Sequence, residues 1–510
     1  MNNNVEILRT ENGPLTLKID NKLIHSRFDP IKEAEKLVEP ILGYKIYIVF
    51  GLGLGYHIKA LLKKSNPSLV IVIEDEDLIK IYKEKNPIYD ERIKIFGCNE
   101  KEKIIEFLES FITIKTISNI KFFYLNSLYS IFFDKYKEIE KYIKMFLDYF
   151  FQSIFTEAEF SVLWYRNAIN NLININRSSS YHIEGDVAII GAGPSLKDNL
   201  DNIKKLQKNI PIACVDTSLK PLISYGIIPD IVISLDSQVH NYYDFIGIKK
   251  DLLKNTILCF DITSYSSIPQ YFNKIMIFKT ENILTEFFNI FEERLKIPEV
   301  LAGGSVSASA LSLLYNMGAS SIVLIGHDFE YDIITHSIST PSYLKLLFSS
   351  NKLFPLHSKF YNIILKRGKR DLFMKNLKKW FEDFISTYKI KLYHIGSTNK
   401  LVNAKYTIDN NLKGKIYSFK KIPKDNDFIK LKLKKIHDIL DNLRCSENIE
   451  DFLKKKNNLD NDMKNLINKI LIKQELYLER KNYNPTLFLG GAFGAIDRIN
   501  KAIKITIGKL

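Results

Sequence analysis

Residues 187–196 read VAIIGAGPSL, an apolar run that ends in two glycines, a proline and a serine. Chemistry that handles phosphate needs such a turn. Gly191 and Gly193 let the backbone approach a ligand with no Cβ in the way. The amides around Pro194 and Ser195 then face an anion, as they do at helix N-termini. The same residues also suit any tight strand-to-helix turn, so a nucleotide reading and a structural one stand side by side. A second turn, Gly303, Gly304 and Ser305, opens the apolar run VSASALSLLYN. There Ser305 serves as a helix cap, as part of an anion site, or as both. Acidic residues close three further apolar runs: Asp216 with Thr217 after IPIACV, Asp236 after DIVISL, and Asp328 after SIVLIGH. Asp216 is placed for a ribose or base contact, or as a turn former. Asp236 and Asp328 are placed as carboxylates beside a phosphate, with a divalent metal optional, or as helix caps.

These residues need a scaffold. From about 183 to 405, short apolar runs alternate with helix-length patterns. That spacing predicts an α/β fold whose centre is a Rossmann-like, mostly parallel sheet. Ligands of such sheets bind beyond the carboxyl ends of the strands, where these polar residues fall. Upstream, IYIVFGLGLGYHIKALL and SLVIVIEDEDLIKIY predict a smaller α/β domain. Its Gly51, Gly53 and Gly55, with Glu74 ending the next strand, imitate a dinucleotide or methyltransferase site. G-x-G-x-G alone is weak, and the structural reading is adopted for it. Helical patterns follow over Lys101–Phe111 and Leu128–Arg166, and NINRSSSYH (Asn174–His182) reads as a linker. Near the C-terminus, Leu433, Ile436, Leu440 and Leu443 recur at helical spacing, as do Leu459, Met463, Leu466, Ile467 and Ile470. The chain therefore divides into 1–177 (α/β with a helical connector), 178–415 (central, catalytic) and 416–510 (α-helical). Between Tyr331 and Arg370 the pattern breaks up, which predicts a lid or binding loop.

Composition narrows the partners. The net charge is +15, from 73 Lys and Arg against 58 Asp and Glu; it follows from a chain rich in Lys, Asn and Ile, or it favours acidic partners such as nucleotides and anionic sugars. No helix-turn-helix signal or aromatic-interleaved basic repeat points to nucleic acid. Cys98, Cys214, Cys259 and Cys445 form no CxxC pair, which argues against a disulfide framework or a zinc site and for a reducing compartment. MNNNVEILRTENG has no signal-peptide core, and no apolar run approaches the ~18 residues of a membrane span. The expected location is cytoplasmic.

GAGPSL, VDTSLKPLISYGIIPDIVISLDS, GGSVSASALSLLYNMGASSIVLIGHDFEY and THS, in this order, resemble the core of the motility accessory factor (Maf) proteins, bacterial flagellin glycosyltransferases. VFGLGLGYHIKALL with VIVIEDE is similar to that family's first domain, so the resemblance covers roughly residues 45–400. The same core is shared with hydroxymethylpterin pyrophosphokinases. GPSLK, GGSVS with SIVLIGHDF, and TYKIKLY resemble bacterial sialyltransferases. The resemblance implies transfer of a nonulosonic acid, of the pseudaminic or legionaminic type, to Ser or Thr of flagellin for flagellum assembly and motility. The CMP-activated sugar is then a substrate; no resident cofactor is implied, and the sialyltransferases need no metal. It places Tyr331 and Thr335 at the nucleotide sugar. It makes His336, in the Thr335–His336 pair, the general base beside Asp328, with His357 and His327 as rivals. By charge alone, Lys366–Arg370 reads first as a solvated run, and it or Arg166 suits pairing with an anionic sugar or phosphate. An ATP-dependent pterin pyrophosphokinase and a non-catalytic flagellar assembly factor are the alternatives. Length favours the first reading, because extra domains flank the core and suit a macromolecular acceptor.

Overall fold

The structure, a computed structural model, describes residues 4–510 apart from 118, 282–283, 292–293, 330–349, 354, 359–360, 362–366, 397–399, 408–410, 422–424 and 479–483. Chain contacts divide it into two compact units, residues 1–159 with 475–483, and residues 160–474 with 484–510.

In the first unit, β1 (Val5–Arg9), β2 (Leu15–Ile19) and β3 (Lys22–Leu23) form an antiparallel sheet. A second, parallel sheet contains β4 (Ile46–Phe50), β5 (Leu69–Glu74), β6 (Ile93–Gly97) and β7 (Ile120–Tyr124), in the order β6-β5-β4-β7. β4 and β5 are buried along their whole length, as continuous Ile/Val runs require of a central parallel strand. Helix α1 (Tyr56–Ser65) follows the glycine turn after β4. Helix α2 (Phe133–Asn171) gives Tyr136, Ile139, Ile143 and Leu147 to this core; its residues from 160 onward belong to the second unit.

Among the described residues, the second unit is built on nine strands: β8 (Ser179–Ile190), β9 (Ile212–Val215), β10 (Ile231–Ser234), β11 (Ile257–Asp261), β12 (Lys274–Thr280), β13 (Glu299–Val300), β14 (Ala319–Ile325), β15 (Lys391–Ile395) and β16 (Gly414–Lys421). The order is β13-β12-β11-β10-β9-β8-β14-β15, parallel throughout, with β16 antiparallel on β8. This is the mostly parallel α/β architecture expected from the sequence. The chain lays β9 to β13 on one side of β8, then crosses over to place β14 on the other. The strand order therefore reverses between β8 and β14, where open α/β sheets form their ligand crevice.

Helices α3 (Asp216–Ser224), α4 (Val306–Asn316) and α5 (Arg367–Tyr388) frame that crevice. α4 is buried from Ala308 to Leu314, and it packs in one core with Phe381, Phe384 and Ile385 of α5. Helices α6 (Asn426–Arg444) and α7 (Pro485–Lys509), with Ile449–Asn457 and Asn461–Ile470 between them, supply the helical C-terminal region.

Two expectations about organisation differ from the structure. The linker expected over Asn174–His182 is a short helical turn, Leu172–Arg177, and then the first residues of β8. β16 covers that polar half of β8, with Tyr417 opposite His182 and Lys415 opposite Glu184. A boundary at residue 415 thus falls inside a strand. Polar residues on a partly exposed strand resemble a linker in composition, and only the pairing reveals them. The sequence predicts three parts, whereas the C-terminal helices group with the central sheet in one compact unit. Hydrogen bonds tie them to α2: Thr506 Oγ1 to the Ile169 carbonyl at 3.1 Å and Ser161 Oγ to that of Ile470 at 3.4 Å. Cys98, Cys214, Cys259 and Cys445 are all free. Among the described residues no helix is long and apolar enough to cross a membrane.

Candidate functional site

At the reversal point the turns after β8 and β14 pass each other at backbone contact. A Cβ added to Gly191 would lie 2.5 Å from the Gly326 carbonyl oxygen, and one on Gly326 2.4 Å from that of Gly191. Both glycines are needed for this approach. Gly191 N–H donates to the Ile325 carbonyl (2.8 Å) and Gly193 N–H to that of Gly326 (2.8 Å). Ser195 N–H donates to Asp328 Oδ2 at 3.0 Å, and a Cβ on Gly193 would meet that oxygen at 2.2 Å. The anion that the Ser195 amide meets is therefore the protein's own carboxylate. Pro194 opens the short turn Pro194–Asn199 that follows.

Beside these turns lies a cleft of about 220 Å³. Ala192 and Gly193 form one edge, Asp216 and Thr217 at the start of α3 another, and Gly326–Phe329 the floor. Ser305, Val306 and Ser307 bring in the N-terminus of α4, and Phe373, Met374 and Leu377 of α5 form an apolar wall. Asp216 is buried and accepts the Thr217 N–H at 2.8 Å. Ser218 Oγ bonds the Ile190 and Val215 carbonyls, each at 2.8 Å, and so joins β8 to the turn after β9.

The N-terminus of α4 opens into the cleft. Gly304 turns the chain at φ +74°, and Gly303 is pressed against Ala308 and Trp380. Ser305 caps the helix by accepting the Ala308 N–H at 3.2 Å. The N–H groups of Val306 and Ser307, the first in the helix, have no acceptor within it. Together with the helix dipole they favour a negative group at this mouth.

Not every residue singled out from the sequence gathers here. Asp236 accepts the Gln238 N–H at 2.9 Å and does not line the cleft. Asp328 lines it but holds the β8 turn. The two carboxylates therefore do not converge on one point, since one closes an Asx turn and the other a loop. Tyr331, Thr335 and His336 lie outside the described residues, as does most of the segment expected to form a lid. His357 is exposed and His327 is in the cleft.

Some residues that line the cleft carry no such signal in the sequence. Phe373, Met374 and Leu377 read as the core face of a helix. Ser307 sits inside an apolar run. For Gly326, the one available signal was its place directly after a buried strand.

Two buried histidines underlie the floor. His327 Nδ1 donates to the Ile325 carbonyl at 3.1 Å; burial and the nearby His394 push its pKa down to about 3. His394 Nε2 donates to the His327 carbonyl at 2.8 Å, and burial lowers its pKa as well.

The N-terminal glycine turn is built differently. Leu52 N–H and Gly53 N–H donate to Glu74 Oε2 at 2.6 and 2.9 Å, and Asp75 N–H and the Tyr136 hydroxyl donate to Oε1. Leu54 N–H donates to His25 Nε2 at 2.9 Å. A Cβ on Gly53 would sit 2.5 Å from that same nitrogen. Burial pushes the Glu74 carboxyl up, and its four donors pull the other way.

Three comparisons with known proteins bear on this geometry. Residues 161–333, which carry the cleft's two glycine turns, match the family described as 6-hydroxymethylpterin diphosphokinase MptE-like. An uncharacterised protein of Treponema pallidum (strain Nichols) is 31% identical over 90 residues, 17% of this chain and 43% of that protein. The chain thus spans less than half the length of that relative. The solved structure of the Maf glycosyltransferase from Magnetospirillum magneticum AMB-1 superposes with a TM-score of 0.55 at 14% identity, covering 99% of this chain and 90% of that one. From end to end, the chain has the fold of that Maf glycosyltransferase, with an MptE-like segment at its centre.

Proposed function

We propose that this protein is a glycosyltransferase that moves a nonulosonic acid from a CMP-activated donor to a Ser or Thr hydroxyl of flagellin. One observation carries the reading: an anion-seeking helix terminus opens into a cleft at the reversal point of a sheet whose whole-chain fold is that of a Maf glycosyltransferase. In this reading the donor's phosphate lies at the Val306 and Ser307 amides. The nucleoside lies along Ala192, Gly193, Asp216 and Thr217, and the sugar faces the open side. The acceptor hydroxyl loses its proton to a general base, for which His336 is proposed. Its oxygen bonds to the anomeric carbon, and the bond to the phosphate oxygen breaks. CMP leaves with the negative charge, and the α4 terminus stabilises that charge. Tyr331 and Thr335 belong to the same proposal.

The MptE-like match supports a second reading, a pyrophosphoryl transfer from ATP. One measurement separates the two. Thermal denaturation with CMP, UMP, ATP plus magnesium, and S-adenosylmethionine should show a raised Tm with CMP, because a ligand selective for the folded state stabilises it. Incubation with a CMP-nonulosonate and flagellin should then give glycosylated flagellin. Stabilisation by ATP with magnesium and not by CMP turns the assignment to the second reading.

A further inference from the structure

We propose that His327 recognises a neutral hydrogen-bond donor, a hydroxyl or an amino group, on the nucleoside half of the bound nucleotide sugar. The inference rests on the donor reading above and goes beyond it by naming the kind of group that is read and the atom that reads it.

His327 lines the cleft yet is only 6% exposed. Its Nδ1–H is given to the Ile325 carbonyl, the same oxygen that accepts the Gly191 N–H. That bond fixes the tautomer: the proton is on Nδ1 and the lone pair on Nε2. Nε2 is buried and has no hydrogen-bond partner among the described residues. The ring is held from behind, since the His327 carbonyl accepts from His394 and Phe381 packs at 6.1 Å between ring centroids. A pKa of about 3 keeps the imidazole neutral at working pH. It also makes His327 a poor proton acceptor, so the base role falls to another residue.

A buried acceptor with no donor is costly, and a ligand that supplies an O–H or N–H removes that cost. A phosphate or carboxylate oxygen brings only lone pairs and does not suit it. The cleft thus separates two tasks: the α4 amides take the anion, and His327 takes a neutral donor. The transferred sugar must face a macromolecular acceptor and so occupies the open side. That leaves the buried end, where His327 sits, to the nucleoside. In cytidine its donors are the ribose hydroxyls and the exocyclic amine.

The test is calorimetric titration of the full-length protein with CMP, 2′-deoxy-CMP, 3′-deoxy-CMP and UMP. It is run on the wild type, on His327→Phe, which removes the acceptor, and on His327→Gln, which restores one. One analogue should bind the wild type about tenfold more weakly than CMP, and which one identifies the group as hydroxyl or amine. In His327→Phe that difference should vanish, as coupled groups in a double-mutant cycle require, while His327→Gln should keep part of it. Without nucleotide, His327→Phe should melt no lower than the wild type, which separates lost recognition from a damaged fold. Equal binding of all four nucleotides by the wild type, or undiminished discrimination in His327→Phe, overturns the assignment. If His327→Phe does not fold, the analogue series on the wild type and on His327→Gln decides it. Failure of CMP to bind the wild type at all overturns the donor reading, and this inference with it.

Discussion

Two glycine turns, Gly51–Gly55 and Gly191–Ser195, each leave a fully buried strand end and each resemble a nucleotide motif. Each meets a carboxylate of its own chain, but to different extents. In the N-terminal turn every amide from Gly51 to Gly55 has an internal acceptor: the Ile73 carbonyl, Glu74 twice, His25 and the Leu52 carbonyl. The side chains of Leu125, His25 and Tyr82 fill the space beside it. In the central turn, Asp328 takes the amide of Ser195, and the space beside it stays open as a cleft that a second element, the α4 terminus, enters. A glycine pattern therefore reports where the chain must pass closely. Whether a ligand follows depends on what else reaches the same space.

The comparison can be broken at the two carboxylates, where the largest effect is expected. Glu74 accepts two donors on each oxygen and is fully buried. Glu74→Gln replaces one oxygen with a carboxamide NH2, a donor that faces two of those donors. Each stranded donor costs about 1–3 kcal/mol, so the variant should lose about 3 kcal/mol or more. Asp328→Asn retains an oxygen that can turn to the Ser195 N–H and should lose about 1 kcal/mol. Denaturant unfolding of both variants measures the contrast. Equal losses would mean that the central turn is as sealed as the other.

Acid offers a second way to sharpen it. Each turn rests on a pair of buried histidines, His25 with His57 and His327 with His394, and burial lowers the pKa of all four, to about 3 for His25 and about 4 for His57. Their folded pKa lies below the unfolded value of 6.5, so the unfolded chain takes up protons first. The stability they contribute is complete above about pH 6.5 and is lost as pH falls toward 4 and below. His25 accepts the Leu54 N–H and so cannot be protonated without breaking that bond. His25→Gln keeps an acceptor but does not titrate. It should flatten the stability–pH slope below pH 6.5 by up to about 1.4 kcal/mol per pH unit. An unchanged slope would show that His25 is not kept neutral by the fold.

What the sequence made legible follows the same division. Continuous apolar runs such as VAII, IVIS and SIVLI gave the parallel strands, because a strand buried on both faces has no alternation to disguise it. The polar half of β8 and all of β16 carry no such signal, since their pairing is long-range and their residues there are polar. Ser305 and Asp216 are legible as turn and cap residues because their hydrogen bonds are local. Asp328 is legible as a strand-end acid, but its bond to the Ser195 N–H is not, because the two are 133 residues apart. His327 was legible as a candidate residue, whereas its orphaned Nε2 depends on how three strands meet.

The smallest expected effect concerns the cap of the helix at whose terminus the donor's phosphate is proposed to lie. Helix α1, after the N-terminal turn, begins at Gly55 with no side-chain cap, whereas Ser305 Oγ caps α4. Ser305→Ala removes an acceptor from the Ala308 N–H and should cost about 1 kcal/mol of stability, a typical cap loss. The Val306 and Ser307 amides are backbone groups and survive the change. CMP affinity should therefore fall by less than about tenfold, while the Tm without nucleotide falls measurably. Measuring both on one variant separates two functions that the sequence left combined in a single serine. If affinity disappears while stability holds, the Ser305 hydroxyl itself touches the phosphate, and the anion site is a side-chain device like the carboxylates that seal the other turn. If both change as expected, the anion site is made by the helix and the serine only holds that helix in shape.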